Sequence, residues 1–163
     1  VLRLPAILIA CALVASLAGG CGEGGAEEGA ELTVYVSAPL RGAEAVAGKR
    51  LCAEAREQAA QGRGGGDYKL RVACLDAAGP DGRWTLAKVG SNARRSTEDS
   101  TSVAYVGEPD QAARRQSRPI VEQAEVAYLG DLSGREAIAQ VTAALDESDS
   151  NDPRAAVFDA VEG

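Results

Sequence analysis

The stretch from Leu32 to Ala60, LTVYVSAPLRGAEAVAGKRLCAEAREQAA, limits what this chain can fold into more than any other part of it. Leu32, Thr33, Val34, Tyr35 and Val36 favour a strand; Ser37 to Gly42 breaks it with a proline and a glycine, and a long series of helix formers follows. Such a β-loop-α unit opens an α/β domain. The strand is apolar on both faces, which suits a central strand of a parallel sheet, covered by crossover helices above and below. Ligands of such sheets lie beyond the carboxyl ends of the strands, so the loop from Ser37 to Gly42 is the first place to look for function.

At 163 residues the chain has the length of one domain with a core of ordinary size. Its 24 acidic side chains against 17 basic ones give a net charge of −7, the wrong sign for a phosphate backbone, and nucleic acid is set aside as a partner. Histidine is absent and the four cysteines do not cluster, so this chain alone builds neither a zinc site nor a Ser-His-Asp arrangement. No carboxylates or lysines pair recognisably for acid–base work, and we read the protein as no enzyme, with no cofactor and no metal.

Residues 1–20, VLRLPAILIACALVASLAGG, carry an early Arg3, an apolar run from Leu4 to Leu17 and small residues at the end, the layout of a secretory signal. The stretch LAGGC resembles a bacterial lipobox, which implies that Cys21 becomes the lipidated first residue of the mature chain and that Cys11 leaves with the signal. The other reading is a buried or membrane-spanning helix with an incidental Cys21, for which the apolar run is short. The chain opens on Val1, as a non-standard start codon or a trimmed N-terminus would produce. Residues 21–30 have almost nothing to bury and read as a flexible acidic tether, followed by a folded part over residues 31–163.

After the first strand, a helix from about Ala43 to Gln61 carries small residues at Ala45, Gly48, Cys52, Ala55 and Ala59, spaced three and four apart, so that it lies close to the sheet. The glycines of Gly62 to Gly66 end it; because they follow a helix and do not lead from a strand into one, they are not a phosphate cradle. Tyr68 to Leu75 alternates Leu70, Val72 and Cys74 against Arg71 and Ala73, as a second strand does. Cys52 and Cys74 then both point into the layer between helix and sheet. In an exported protein a disulfide between them is our expectation, two buried free thiols being the alternative. Asp76 to Arg83 is a turn-rich connection, and Trp84 to about Thr97 a helix with Leu86, Val89 and Ala93 on one side. Trp84 either stacks on a ligand or closes a core edge, the commoner use. Ser102 to Gly107 is a third strand, and Glu108-Pro109-Asp110 leads into a helix to about Ala124. Val126 to Leu129 is a short fourth strand, Gly130 to Gly134 turns, and helices run from about Arg135 to Leu145 and from Pro153 to Val161.

Three stretches, LTVYVSAPLRG, WTLAKVGSNARRSTEDSTSVAYVGE and RPIVEQAEVAYL, resemble actinobacterial lipoproteins of the type I periplasmic-binding-protein superfamily, in its branched-chain amino-acid (Leu/Ile/Val) branch. GREAIAQVTAAL and NDPRAAVFDAV look like the C-terminal helices of the same family. The resemblance implies a Rossmann-like, three-layer αβα parallel sheet, the substrate-binding part of an ABC importer, and a fold of two lobes that close on a ligand. In the family a whole second lobe stands between the stretches that match Leu129 and Arg135; here only Gly130 to Gly134 does, so the sequence reads as a single lobe. Family members hold an amino-acid carboxylate at a hydroxyl-rich helix start, and the matching Gln111, Ala112 and Ala113 offer no hydroxyl. The negative charge of Glu108 and Asp110 there favours a neutral or cationic ligand.

Our leading expectation is therefore a lipid-anchored, extracytoplasmic solute-binding protein at the cell membrane, truncated to one lobe and related to ABC importers of branched-chain amino acids, with ABC permease subunits as partners and an amino acid or similar small molecule as ligand. Its site would run along the carboxyl ends of the strands through Ser37, Pro39, Arg41, Asp76, Glu108 and Gln111, with Arg41 facing an acidic group or standing as a solvated loop charge. The alternatives are an interaction module that shows the former site edge to a partner protein, or a degenerate relic.

Overall fold

The computed structural model describes residues 29–61 and 68–163. The export segment with Cys11, the lipidation candidate Cys21, most of the tether and the glycines after the first helix lie outside the described residues.

The elements run β1 (Glu31–Ala38), α1 (Ala45–Gln61), β2 (Lys69–Asp76), α2 (Leu86–Thr97), β3 (Ser102–Val106), α3 (Gln111–Glu122), β4 (Ala127–Leu129), α4 (Gly134–Glu147) and α5 (Pro153–Glu162). The four strands form one parallel sheet in the order β2-β1-β3-β4. Helices α1, α4 and α5 pack together on one face and α2 and α3 on the other, the three-layer αβα arrangement read from the sequence. Strand β1 is buried from Leu32 to its end, so Ser37 and Ala38, placed by sequence in the loop, belong to the strand. The proline that breaks it, Pro39, comes three residues after Val36, where the apolar run ends.

Alternation along β1 sends Val34 and Val36 to the α1 face, where register aligns them with Ala104 and Val106 of β3, and these in turn with Ala127 and Leu129 of β4. Ile138, Val141 and Leu145 of α4 and Val157 of α5 complete that core. The opposite face carries a row of tyrosines, Tyr35, Tyr105 and Tyr128, at aligned positions, the last two stacked with centroids 6.1 Å apart. The C-terminal helix is pinned by Arg154, whose guanidinium donates to the carbonyls of Ser102 (2.9 Å) and Asp99 (2.8 Å).

The small stripe on α1 does what its spacing predicts: Ala45, Gly48, Cys52 and Ala55 are buried. A side chain at Gly48 would collide with the Pro39 carbonyl, and one at Gly134 with the backbone of α1 at Leu51 and Ala55, so α1 touches both the first loop and the start of α4 at backbone distance. On α2 the expectation is corrected. The helix begins at Leu86, after the N-cap Thr85, and Leu86 is 48% exposed, whereas Val89 and Ala93 are buried. Trp84 precedes the helix and is half-buried against Ala77, Val89 and Ala113.

The bridge expected between Cys52 and Cys74 is formed, with Cα atoms 6.1 Å apart, and fastens α1 to the edge strand β2. It closes a loop of 22 residues, a length at which a disulfide contributes about 3 kcal/mol by restricting the unfolded chain. Reduction, or the double substitution Cys52→Ala/Cys74→Ala, is expected to lower the urea-unfolding free energy by about 2–4 kcal/mol; an unchanged midpoint with and without reductant would show that the bridge does not hold the fold.

Candidate functional site

The sheet reverses its direction of winding between β1 and β3: the chain leaves β1 through α1 to β2, then crosses back through α2 to β3. At the carboxyl ends of such neighbours the loops part and leave a crevice. A groove of ≈ 540 Å³ lies there. Ala38, Pro39, Gly107 and Pro109 form its floor, Glu44 and the part of α1 up to Glu54 one wall, Asp131 to Ser133 another, and Trp84 closes the end.

Trp84 reaches this place because the segment after β2 doubles back on itself. Ala78 and Trp84 form an antiparallel bridge, and the Gly79 amide donates to the Arg83 carbonyl at 2.7 Å. At the tip, Gly82 (φ 78°) meets Gly42 (φ 75°) of the first loop backbone to backbone, a conformation and a spacing that no other residue satisfies. Asp76 fixes the base of both loops. Its Oδ1 accepts from the amides of Leu40 and Ala78, each at 2.9 Å, and its Oδ2 from Arg41 Nε at 2.5 Å. Burial works to raise the Asp76 pKa, but those two amides and the guanidinium outweigh it and hold the carboxyl below its ordinary value. Arg41 also donates to the Ala78 carbonyl at 2.9 Å. Arg41 and Asp76 thus face each other as a tie between loops, and neither lines the groove.

Ser37 and Glu108 are bonded to one another beneath the floor. Ser37 Oγ donates to Glu108 Oε1 and accepts from Asn92 Nδ2 at 2.9 Å; Tyr105 and Ser117 hydroxyls lie 3.4 and 3.5 Å from the same carboxyl. Glu108 is 1% exposed. Its backbone borders the groove while its carboxyl is held in the polar layer against α2 and α3, and burial with no cation beside it raises its pKa. Of the six residues expected along the site edge, the groove is therefore lined by Pro39 and by Glu108. Gln111 opens α3 beside a separate depression lined by Arg114, Arg115, Arg118, Pro119 and Glu122.

The residues that do shape the groove were mostly invisible as a set. Glu44, Ala47, Arg50, Leu51 and Glu54 read in sequence as the solvated side of a helix, and only the knowledge that α1 starts at the winding reversal turns that side into a wall. Asp110 caps α3, its Oδ1 accepting from the amides of Ala112 (2.7 Å) and Ala113 (3.2 Å). Asp131, at φ 59°, is held by Arg114 in a two-pointed pair. Ser133 and Glu136 form a capping box at the start of α4. Among the described residues no three Cys, Asp or Glu side chains gather as metal ligands, and no helix is long and apolar enough to cross a membrane.

No family model matches the chain, and neither does any curated protein. Solved structures share its fold. A leucine-binding protein, LivK of Thermotoga maritima, aligns with TM-score 0.52 and 17% identity over 61% of this chain and 27% of its own. The branched-chain amino acid transporter substrate-binding protein LivJ of Streptococcus pneumoniae, in complex with isoleucine, aligns with TM-score 0.51 and 15% identity over 69% of this chain and 32% of its own. The chain thus matches about a third or less of the length of each. What they share is one lobe of the type I periplasmic-binding fold, a parallel sheet with helices on both faces.

The buried Glu108 carboxyl gives a test of this geometry by pH. Its folded pKa lies above the unfolded one, so its contribution to stability is complete below the ordinary glutamate value and is lost as pH rises through the raised value. Glu108→Gln keeps the hydrogen-bonding shape without the titration. Urea unfolding from about pH 4 to about pH 8 is expected to show the variant gaining on the wild type as pH rises; parallel profiles would mean that Glu108 ionises as it does in water.

Proposed function

We propose that the chain is a non-enzymatic solute-binding lobe, lipid-anchored through Cys21 on the extracytoplasmic face of the cell membrane and working with ABC permease subunits, which takes a small molecule in the groove at the carboxyl ends of its strands. The observation that carries this reading is the groove's position and size: ≈ 540 Å³ at the winding reversal of an open parallel sheet, where sheets of this kind bind ligands and within the range of small-molecule sites. The likeness in fold to a leucine-binding protein and to a branched-chain amino acid transporter substrate-binding protein supports it. From β4 the chain passes directly into α4 through Gly130 to Ser133, with no second lobe inserted there, and α4 packs against α1. A single lobe leaves one side of the groove in water, so binding is weaker than in a clamp that encloses its ligand.

Ala47, exposed on α1 at the mouth of the groove, provides the test. A thermal-shift series with amino acids, amides and amines is expected to raise the melting temperature of the full chain in a dose-dependent way, and Ala47→Trp, which fills the groove from its solvent side, is expected to abolish the rise. A flat response to every compound would end the solute-binding reading. For the anchor, labelled fatty acid is expected on the wild type and not on Cys21→Ser; equal labelling would remove Cys21 from that role.

One observation favours the second reading, an interaction module. Val46 is 81% and Leu86 48% exposed, and each lies in the first turn of a helix that opens at the same carboxyl-end rim. Apolar side chains set outside a groove suit a protein partner that covers it. Surface crosslinking that captures a partner with the wild type and loses it in Val46→Glu/Leu86→Glu, beside a flat thermal-shift screen, would favour this reading over the first.

A further inference from the structure

We propose that the groove selects a cationic solute, an organic amine or guanidine that carries no carboxylate; this rests on the solute-binding reading and specifies its ligand. The walls hold four carboxylates, Glu44, Glu54, Asp110 and Asp131, in addition to the buried Glu108, against one cation, Arg50. Arg50 is itself shared with Glu54 at 3.8 Å, and Asp131 is answered by Arg114. Glu44 and Asp110 form no ion pair among the described residues. Two carboxylates without a cationic side-chain partner therefore line a pocket whose remaining lining, Ala38, Pro39, Ala47, Leu51, Trp84 and Leu132, suits methylene groups or the flat side of a cation.

At the starts of α3 and α4 and in the loops after β1 and β2, the groups that would receive an anion are already in use by the chain itself. The first free amides of α3 donate to Asp110, whose second oxygen has no hydrogen bond among the described residues. At α4 the Glu136 amide donates to Ser133 Oγ (3.3 Å) while the Glu136 carboxylate takes the Ser133 amide (2.9 Å) and hydroxyl (2.7 Å). Leu40 and Ala78 amides are bound to Asp76, and Arg41 is turned to Asp76 and the Ala78 carbonyl. A carboxylate entering the groove would lose water, find these donors taken and meet like charge. An ammonium or guanidinium would exchange water for charge-assisted hydrogen bonds to Glu44 and Asp110. The chain's net charge of −7 steers the same class of solute toward it.

The test is calorimetric titration of the full chain with putrescine, spermidine and agmatine on one side and isoleucine, leucine and glutamate on the other. The amines are expected to bind, and more weakly as salt rises from about 0.05 to about 0.5 M. Glu44→Gln and Asp110→Asn are each expected to weaken them about tenfold, the loss of one charge-assisted hydrogen bond. Asparagine still caps α3, so the second variant keeps its fold, and Glu147→Gln, exposed at the far end of α4, is expected to bind as the wild type does. Binding of isoleucine, leucine or glutamate with no response to amines would overturn the cation preference and leave the solute-binding reading intact. Silence from both sides would overturn the two together, and amine binding that neither variant weakens would place it outside this groove and overturn the proposal.

Discussion

Strand β1 has to be covered by helices on both of its faces, and the rest of the molecule follows from how the chain meets that demand. Every residue from Leu32 to Ala38 is buried, and the partners on either side, β2 and β3, run in the same direction. A parallel neighbour needs a crossover, and a strand buried on two faces needs crossovers on two sides. The chain puts α1 on one face on the way to β2 and α2 on the other on the way to β3. That reversal is what parts the loops above β1 and β3 and makes the groove. Site and fold are thus two consequences of one buried strand.

Burial of β1 also forces its polar side chains into defined partnerships. On the face toward α2 and α3 it reads Thr33, Tyr35, Ser37, polar at each end. Thr33 Oγ1 lies 2.8 Å from Thr101 Oγ1 and accepts from Arg71 at 2.7 Å, while the Tyr35 hydroxyl donates to Asp99 at 2.8 Å. Ser37 belongs to the separate group around Glu108 and Asn92. A slip of one residue would turn all three toward α1 and orphan both groups, so the polar ends specify register where the apolar residues alone leave it degenerate.

The periodicities that announced the fold are those that answer to burial alone. The apolar run Leu32 to Val36, the alternation Leu70, Val72, Cys74 and the small stripe Ala45, Gly48, Cys52, Ala55 each describe one element against one neighbour, and each was legible in the sequence. The bridge between Cys52 and Cys74 followed from two such patterns taken together. Leu86 was misplaced because an apolar residue in a helix's first turn fits the stripe by spacing yet overhangs the rim of the sheet. The site was less legible for a related reason. Ser37, Arg41, Asp76 and Glu108 were picked as polar residues at carboxyl ends, and polar residues there have two employments, toward a ligand or toward the loops themselves. The hydrogen bonds put Arg41 and Asp76, and equally Ser37 and Glu108, in the second. The wall of the groove, by contrast, comes from the outward side of α1, where sequence carries no sign of what lies across from it.

The helix starts around the groove link stability to specificity through the same atoms. A helix that begins at a sheet's carboxyl end points its free amides and its positive dipole end at whatever occupies the crevice, which makes an unmodified start a receptor for anions. Asp110 at α3 and the Ser133–Glu136 box at α4 satisfy those amides from within the chain. Each cap stabilises its helix by roughly 0.5–2 kcal/mol. The α3 cap also brings a carboxylate, Asp110, to the lining of the groove, and the α4 box leaves Ser133 there with its amide and hydroxyl already bound to Glu136. A neutral cap such as serine at 110 would satisfy the amides equally well and leave the end of the helix electropositive. With aspartate there, and Glu44 lining the same groove, the starts of α3 and α4 are closed to an acid, and the preference for positive charge is built in part by the residues that start those two helices.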